Sequence, residues 1–260
     1  GQSSDGLDQR TNGNGTPLGD IASRVRTNYG LDRECDRAFT LSPKCRTGDR
    51  PEILVWGDSY AMQLVQGLLA SEPDVQLIQM TKTACGPIFD VAPVFTKEYN
   101  VKWAEGCLAF NSEVRQWLTT NRTVRYAVLS SPFWQYMEDG QLLIDGRLQD
   151  ASMDVAAEYM HRTLNALKGM GITPVVFSPT PQDGNNIGQC LVKAEFFGVD
   201  VTACNFSLAS VTERSKAVYA WLARIAETQD VVFLSDGMCP AGQCLASMDG
   251  TFIYRDKGHL

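Results

Sequence analysis

Ser59 follows Gly57 and Asp58 where the apolar run EILVWG (52 to 57) gives way to the helix-like YAMQLVQGLLASE (60 to 72). A small hydroxyl at the tip of a buried strand suits a nucleophile, but a hydroxyl attacks only once a base takes its proton. Two histidines are available, His161 and His259. His161 sits within AAEYMHRTLNAL with no carboxylate in an orienting pattern, as a boundary residue of a helix would. His259 follows Asp256 by three residues in YRDKGHL, and an i, i+3 pair in a helix or turn shares a face. A carboxylate so placed accepts the Nδ1 proton and leaves Nε2 to serve as base. D-x-x-H alone also describes many surface turns; strand, Gly-Asp-Ser, helix and a terminal D-x-x-H together are far more specific. Asp58 reads as a helix N-cap that braces the strand-to-helix loop.

Five apolar runs must position these groups: 52 to 57, VQLIQM (75 to 80), VRYAVLS (124 to 130), ITPVVFS (172 to 178) and VVFLS (231 to 235). Their near-continuous hydrophobicity predicts strands covered on both faces, as in a parallel sheet. Helix-period stretches alternate with them, at 60 to 72, 101 to 120, 154 to 170 and 208 to 228. This order predicts right-handed β-α-β crossovers and a doubly wound sheet with ligands at the carboxyl ends of the strands, where Ser59 lies. Residues 180 to 207 lack clean periodicity and read as a long loop. Residues 1 to 50 read as a linker and N-terminal extension packed on the core, and 51 to 260 as the domain. Trp56, Trp103, Trp117 and Trp221 are expected in the core.

The net charge of −7 opposes a nucleic-acid partner, which needs a dense basic surface. No apolar run approaches the roughly 20 residues of a membrane span. The Gly1 start and the Gly-, Ser- and Asn-rich segment behind it are expected of a linker cut from a longer polypeptide. The eight cysteines fall into local couples, Cys35 with Cys45, Cys85 with Cys107, Cys190 with Cys204 and Cys239 with Cys244. Local pairing is one connectivity among about 105, and a reduced cytosolic enzyme is the alternative. With no C-x-x-C and two histidines, structural metal is the weaker reading, and no metal site is assigned. Disulfides would place the domain outside the cytosol. The sequons at Asn14, Asn121 and Asn205 are given no role.

With its Gly-Asp-Ser block and terminal Asp-x-x-His, the sequence resembles the SGNH (GDSL-like) hydrolase superfamily. More narrowly, NYGLDREC, GDSYA, TACGPI and MCPAGQCLASMDGTFIYRDKGHL resemble the extracytoplasmic SGNH domain fused to membrane acyltransferase-3 proteins that O-acetylate bacterial surface polysaccharides. The resemblance runs from about residue 28 to the end. It implies an α/β, flavodoxin-like three-layer sandwich on a five-stranded parallel sheet, stapled here by disulfides. It also implies Ser59 as nucleophile, His259 as base and Asp256 as orienting acid, and leads one to expect a further helix after Leu260. Tyr60 stands where the fused subgroup usually has His, so that imidazole's auxiliary role is absent. The superfamily's Gly and Asn blocks are not plainly present.

The oxyanion formed on attack needs positioned donors. The candidates are the backbone N–H of Ser59 or Tyr60, then Gly86 and Ser131. Trp134 and Tyr136 lie just past the third strand, where flat faces could pack on sugar rings or simply fill the core. The function so implied is acetyl transfer to a surface glycan such as lipopolysaccharide O-antigen, through acetyl-Ser59. No cofactor is expected to be bound: an acyltransferase-3 membrane domain of the same polypeptide would supply acetyl, ultimately from acetyl-CoA. The expected location is periplasmic, tethered to the inner membrane. A secreted esterase or glycan deacetylase with the same triad, and a noncatalytic glycan-binding module, are the alternatives.

Overall fold

A computed structural model of the chain describes residues 11, 15 and 17 to 260; the Asn14 sequon and most of the Gly-rich start lie outside the described residues. The chain forms two compact units. The larger comprises Tyr29–Pro179 and Lys216–Val232; the smaller comprises the described residues up to Asn28, Thr180–Ser215 and Phe233–Leu260.

The larger unit is built on five parallel strands, β1 (Ile53–Gly57), β2 (Leu77–Thr81), β3 (Tyr126–Ser130), β4 (Thr173–Phe177) and β5 (Asp230–Val232), in the order β2-β1-β3-β4-β5. This is the flavodoxin-like arrangement, whose switch point lies between β1 and β3. Helices α1 (Ser59–Met62) and α2 (Leu64–Ser71) connect β1 to β2, α3 (Val101–Thr120) connects β2 to β3, and α4 (Met153–Gly169) connects β3 to β4. Right-handed crossovers put α1 and α2 on one face and α3 and α4 on the other, giving three layers. Further along lie α5 (Ile187–Phe197) and α6 (Glu213–Ala226).

Local chemistry sets these boundaries. Asn100 caps α3 by accepting from the Trp103 amide, and Ser152 caps α4 by accepting from Val155. Trp56 is fully buried, and its Nε1 donates to Asn111 of α3 at 2.9 Å. Burying an indole of this size contributes roughly 4 to 6 kcal/mol in area terms. Residues 29 to 46 cover the β2 edge: Gln79 accepts from the Leu31 amide and donates to the Tyr29 carbonyl, while Asp36 and Arg46 bridge to Thr81 and Ile78. Unpaired edge groups are thereby covered.

All eight cysteines are joined, each to its sequence neighbour. In the smaller unit, Cys190–Cys204 and Cys239–Cys244 adjoin a compact core of Ile187, Leu191, Phe206, Val211 and Tyr254. Closing the 14-residue Cys190–Cys204 loop contributes about 3 kcal/mol by restricting the unfolded chain.

Four expectations are corrected. The 180 to 207 segment holds α5, capped by Asn186, in place of a continuous loop. VVFLS leaves the sheet after Val232, and Leu234 begins a short helix. Trp103 and Trp117 are half-buried on α3, outside the core that encloses Trp56 and Trp221. A small antiparallel sheet, Ala92–Val94, Gln141–Ile144 and Arg147–Asp150, lies where no strand is expected.

Candidate active site

In the larger unit the site grows from the end of β1. Gly57 takes φ +148°, and a Cβ there would run into the Ser130 carbonyl of the neighbouring strand, so only glycine allows the chain to turn here. Asp58 caps α1: its Oδ1 accepts from the Tyr60 amide at 2.9 Å, and its Oδ2 accepts from the Ser131 hydroxyl at 2.6 Å. That carboxylate, 1% exposed, ties the end of β1 to the end of β3. Ser131 Oγ in turn accepts from Gln135 Nε2 at 3.1 Å. Ser59, half-buried, is the first residue of α1 and stands at the switch point of the sheet.

The loop after β2 is drawn to the same edge. Asn111 Nδ2 donates to the carbonyls of Gly86 and Ile88, both at 3.0 Å, while its Oδ1 accepts from Trp56. A Cβ on Gly86 would lie 2.8 Å from Tyr136 Cε2 and 3.0 Å from Ser131 Oγ, so glycine permits the close approach. Tyr136 is fully buried, and its hydroxyl donates to the Gly86 carbonyl at 3.3 Å. Burial, with the Asp58 charge added, pushes its phenol far above the ordinary tyrosine range.

This geometry revises several sequence candidates. The Tyr60 amide and the Ser131 hydroxyl are both donated to Asp58, so neither proton is directed at an oxyanion. Tyr136 has no exposed face to offer a sugar; its ring fixes one loop to another. Trp134 is half-buried and packs edge-on against Phe95 at 5.3 Å between centroids. Sequence reasoning missed Asn111 and Gln135, two buried amides that position the loops around Ser59.

The smaller unit holds Asp256 and His259 in one tight turn. Asp256 Oδ1 accepts from the amides of Gly258 and His259, both at 2.9 Å, and His259 Nδ1 lies 2.9 Å from Oδ2. Although burial alone would raise it, the hydrogen bonds from the His259 ring and the Gly258 amide hold the Asp256 carboxyl well below the usual range. The carboxylate engages Nδ1, the ring nitrogen on its own side, and so favours the tautomer in which Nδ1 carries the proton. The Gly258 carbonyl accepts from the Thr180 hydroxyl, and the Asp256 carbonyl accepts from the Gly188 amide. A Cβ on Gly188 would strike the Arg255 carbonyl and approach the Asp256 amide to 2.6 Å, so α5 packs against this turn only with glycine there. His161, half-buried on α4 of the larger unit, has no carboxylate bonded to its ring among the described residues. Asn121 and Asn205 use their side-chain oxygens to accept from Thr123 and Ala246, roles internal to the fold.

A five-stranded parallel sheet in flavodoxin-like order, with a Gly-Asp-Ser turn at its switch point, defines an α/β domain of SGNH type. The chain belongs to the family described as the SGNH domain fused to AT3 domains, whose model matches residues 32 to 260. Among solved structures it is similar to the periplasmic domain of the lipopolysaccharide acetyltransferase of Salmonella ser. Paratyphi A, with a TM-score of 0.63 and 15% identity over 93% of this chain and 88% of that one. No curated protein sequence matches the chain.

Proposed function

We propose that the protein transfers an acetyl group to a hydroxyl of a bacterial surface polysaccharide, such as lipopolysaccharide O-antigen, through acetyl-Ser59. The observation that carries this reading is the Asp256–His259 turn in a chain that also presents Ser59 on a braced strand-to-helix elbow. Ser59 Oγ attacks the acetyl carbonyl as its proton passes to His259 Nε2, and the donor's leaving oxygen or sulfur departs with that proton. A sugar hydroxyl then gives its proton to Nε2 and attacks the acyl-serine, releasing the acetylated glycan and restoring Ser59. Asp256 holds the ring in the required tautomer, and the Ser59 amide is the first donor to the oxyanion.

Residues 51 to 260 form the catalytic domain in this reading, with 1 to 50 as linker and extension. No cofactor is held; a membrane acyltransferase-3 domain of the same polypeptide, as the family description suggests, delivers acetyl drawn ultimately from acetyl-CoA. The domain works outside the cytoplasm, tethered to the inner membrane. Four disulfides support an oxidising compartment. Among the described residues no helix is long and apolar enough to cross a membrane.

Esterase action shares the acyl-enzyme and differs in acceptor, so the test is partition. With p-nitrophenyl acetate as donor, adding the base-deacetylated surface polysaccharide of the encoding strain should move acetyl onto glycan hydroxyls, read by NMR, in preference to free acetate. Acetate as the sole product at saturating glycan would assign the chain to the esterases.

A further inference from the structure

Trp103 on α3 and Tyr99, just before that helix, meet nearly at right angles, with centroids 5.0 Å apart and planes at 79°. Tyr99 stacks on Phe95 at 5.0 Å, and Phe95 meets Trp134 edge-on, so an aromatic ladder runs toward the end of β3. Trp103 and Tyr99 line a cleft of about 260 Å³ with Asp36, Arg37, Lys82 and Glu98, all within the larger unit. That volume falls below the roughly 300 to 1,000 Å³ typical of sites for drug-sized ligands and suits a single small ring.

The polar wall is fixed in place. Asp36 accepts from the Thr83 amide at 2.7 Å and the Thr83 hydroxyl at 2.8 Å. Lys82 Nζ donates to the Arg37 carbonyl at 2.7 Å and lies 5.9 Å from the Trp103 ring centre. Arg37, whose carbonyl takes the Lys82 bond, has φ +99°, a conformation costing about 1 to 3 kcal/mol. Burial lowers the Lys82 ammonium, with Asp36 opposing. Burial also raises the Tyr99 phenol, with the charges of Glu98, Asp36 and Asp58 adding to it.

Two acids and two bases cancel at the cleft, which disfavours a strongly charged ligand, while hydrogen-bonding groups face an aromatic wall. A pyranose matches this chemistry: one face presents weakly positive C–H bonds to a ring's negative face, and its rim presents hydroxyls. We propose that the cleft is a subsite for one uncharged pyranose of the acceptor glycan, packed on Trp103 with hydroxyls bonded to Glu98 and Asp36. This assignment rests on the glycan reading above and moves the sugar platform from Trp134 and Tyr136 to Trp103 and Tyr99.

The test is calorimetric titration with oligosaccharides cut by mild acid from the base-deacetylated surface polysaccharide of the encoding strain. Trp103→Ala should weaken binding about tenfold or more, consistent with loss of an aromatic face. Trp103→Phe should recover most of that loss. Glu98→Ala, at an exposed position that does not threaten folding, should weaken binding at least about threefold, and Trp117→Ala, on the same helix outside the cleft, should match wild type. Wild-type affinity in both Trp103→Ala and Glu98→Ala, absence of binding by wild type, or preference for acidic over neutral fragments would each overturn the subsite. Wild-type protein that binds fragments through Trp103 yet turns over no acetyl ester would leave the subsite standing and remove the acyl-transfer reading instead.

Discussion

Ser59→Ala should lower turnover of p-nitrophenyl acetate by about 10⁴-fold or more, because no other group in the proposed mechanism can form the acyl intermediate. The substitution should leave the fold intact. Asp58, which caps α1 and ties β1 to β3, uses the Tyr60 amide and the Ser131 hydroxyl, neither of which depends on the Ser59 hydroxyl. An unchanged circular dichroism spectrum and thermal midpoint with activity lost would separate chemistry from stability. Activity within tenfold of wild type would remove Ser59 as nucleophile.

His259→Ala should match that loss, since removing either member of a nucleophile–base couple disables the same step. Asp256→Asn should leave a measurable remainder, because an orienting group is less indispensable than the nucleophile. The Asp256 carboxyl lies well below the usual range, so it stays ionised across ordinary assay pH, and an activity loss on mild acidification does not come from its protonation. This depression stabilises the fold at pH above the ordinary carboxylate range, and that stabilisation is lost as pH falls through the folded value. Asn at this position removes the charge while preserving size, so initial rates for the three proteins separate orientation from packing. His161→Ala should change little; if it abolished activity in a folded protein while His259→Ala did not, the base would be misassigned.

The sheet was legible because its strands are covered on both faces, which forces continuous apolar runs such as Leu54–Val55–Trp56. The Gly-Asp-Ser turn was legible for a related reason: a glycine at positive φ and a capping aspartate leave a direct mark in residue type. Helix α5 was harder to read. Ile187, Leu191 and Ala194 do follow helical spacing behind the Asn186 cap, but Gly188, Gly198 and the Cys190–Cys204 couple resemble loop chemistry. Asp145 and Gly146, both at positive φ, form the turn of a hairpin, and this Asp-Gly pair is the strongest mark of it in the sequence.

The site's inner wiring was less accessible. Nothing in a mid-helix Asn111 announces that it bonds Trp56, 55 residues away, and the loop at Gly86. Tyr136 and Trp134 are two residues apart in one 3₁₀ turn entered through Phe133 at φ +59°, and backbone direction decides which ring is buried. The Tyr60 amide was misassigned because a cap and an oxyanion hole compete for the same N–H groups at a helix start, and Asp58 takes that one.

Whether Ser59 is the activated nucleophile is decided by reaction with a fluorophosphonate followed by peptide mapping. A single stoichiometric adduct should form on Ser59, slowly in His259→Ala and not at all in Ser59→Ala. An adduct on any other residue, or none on folded wild-type protein, would contradict it.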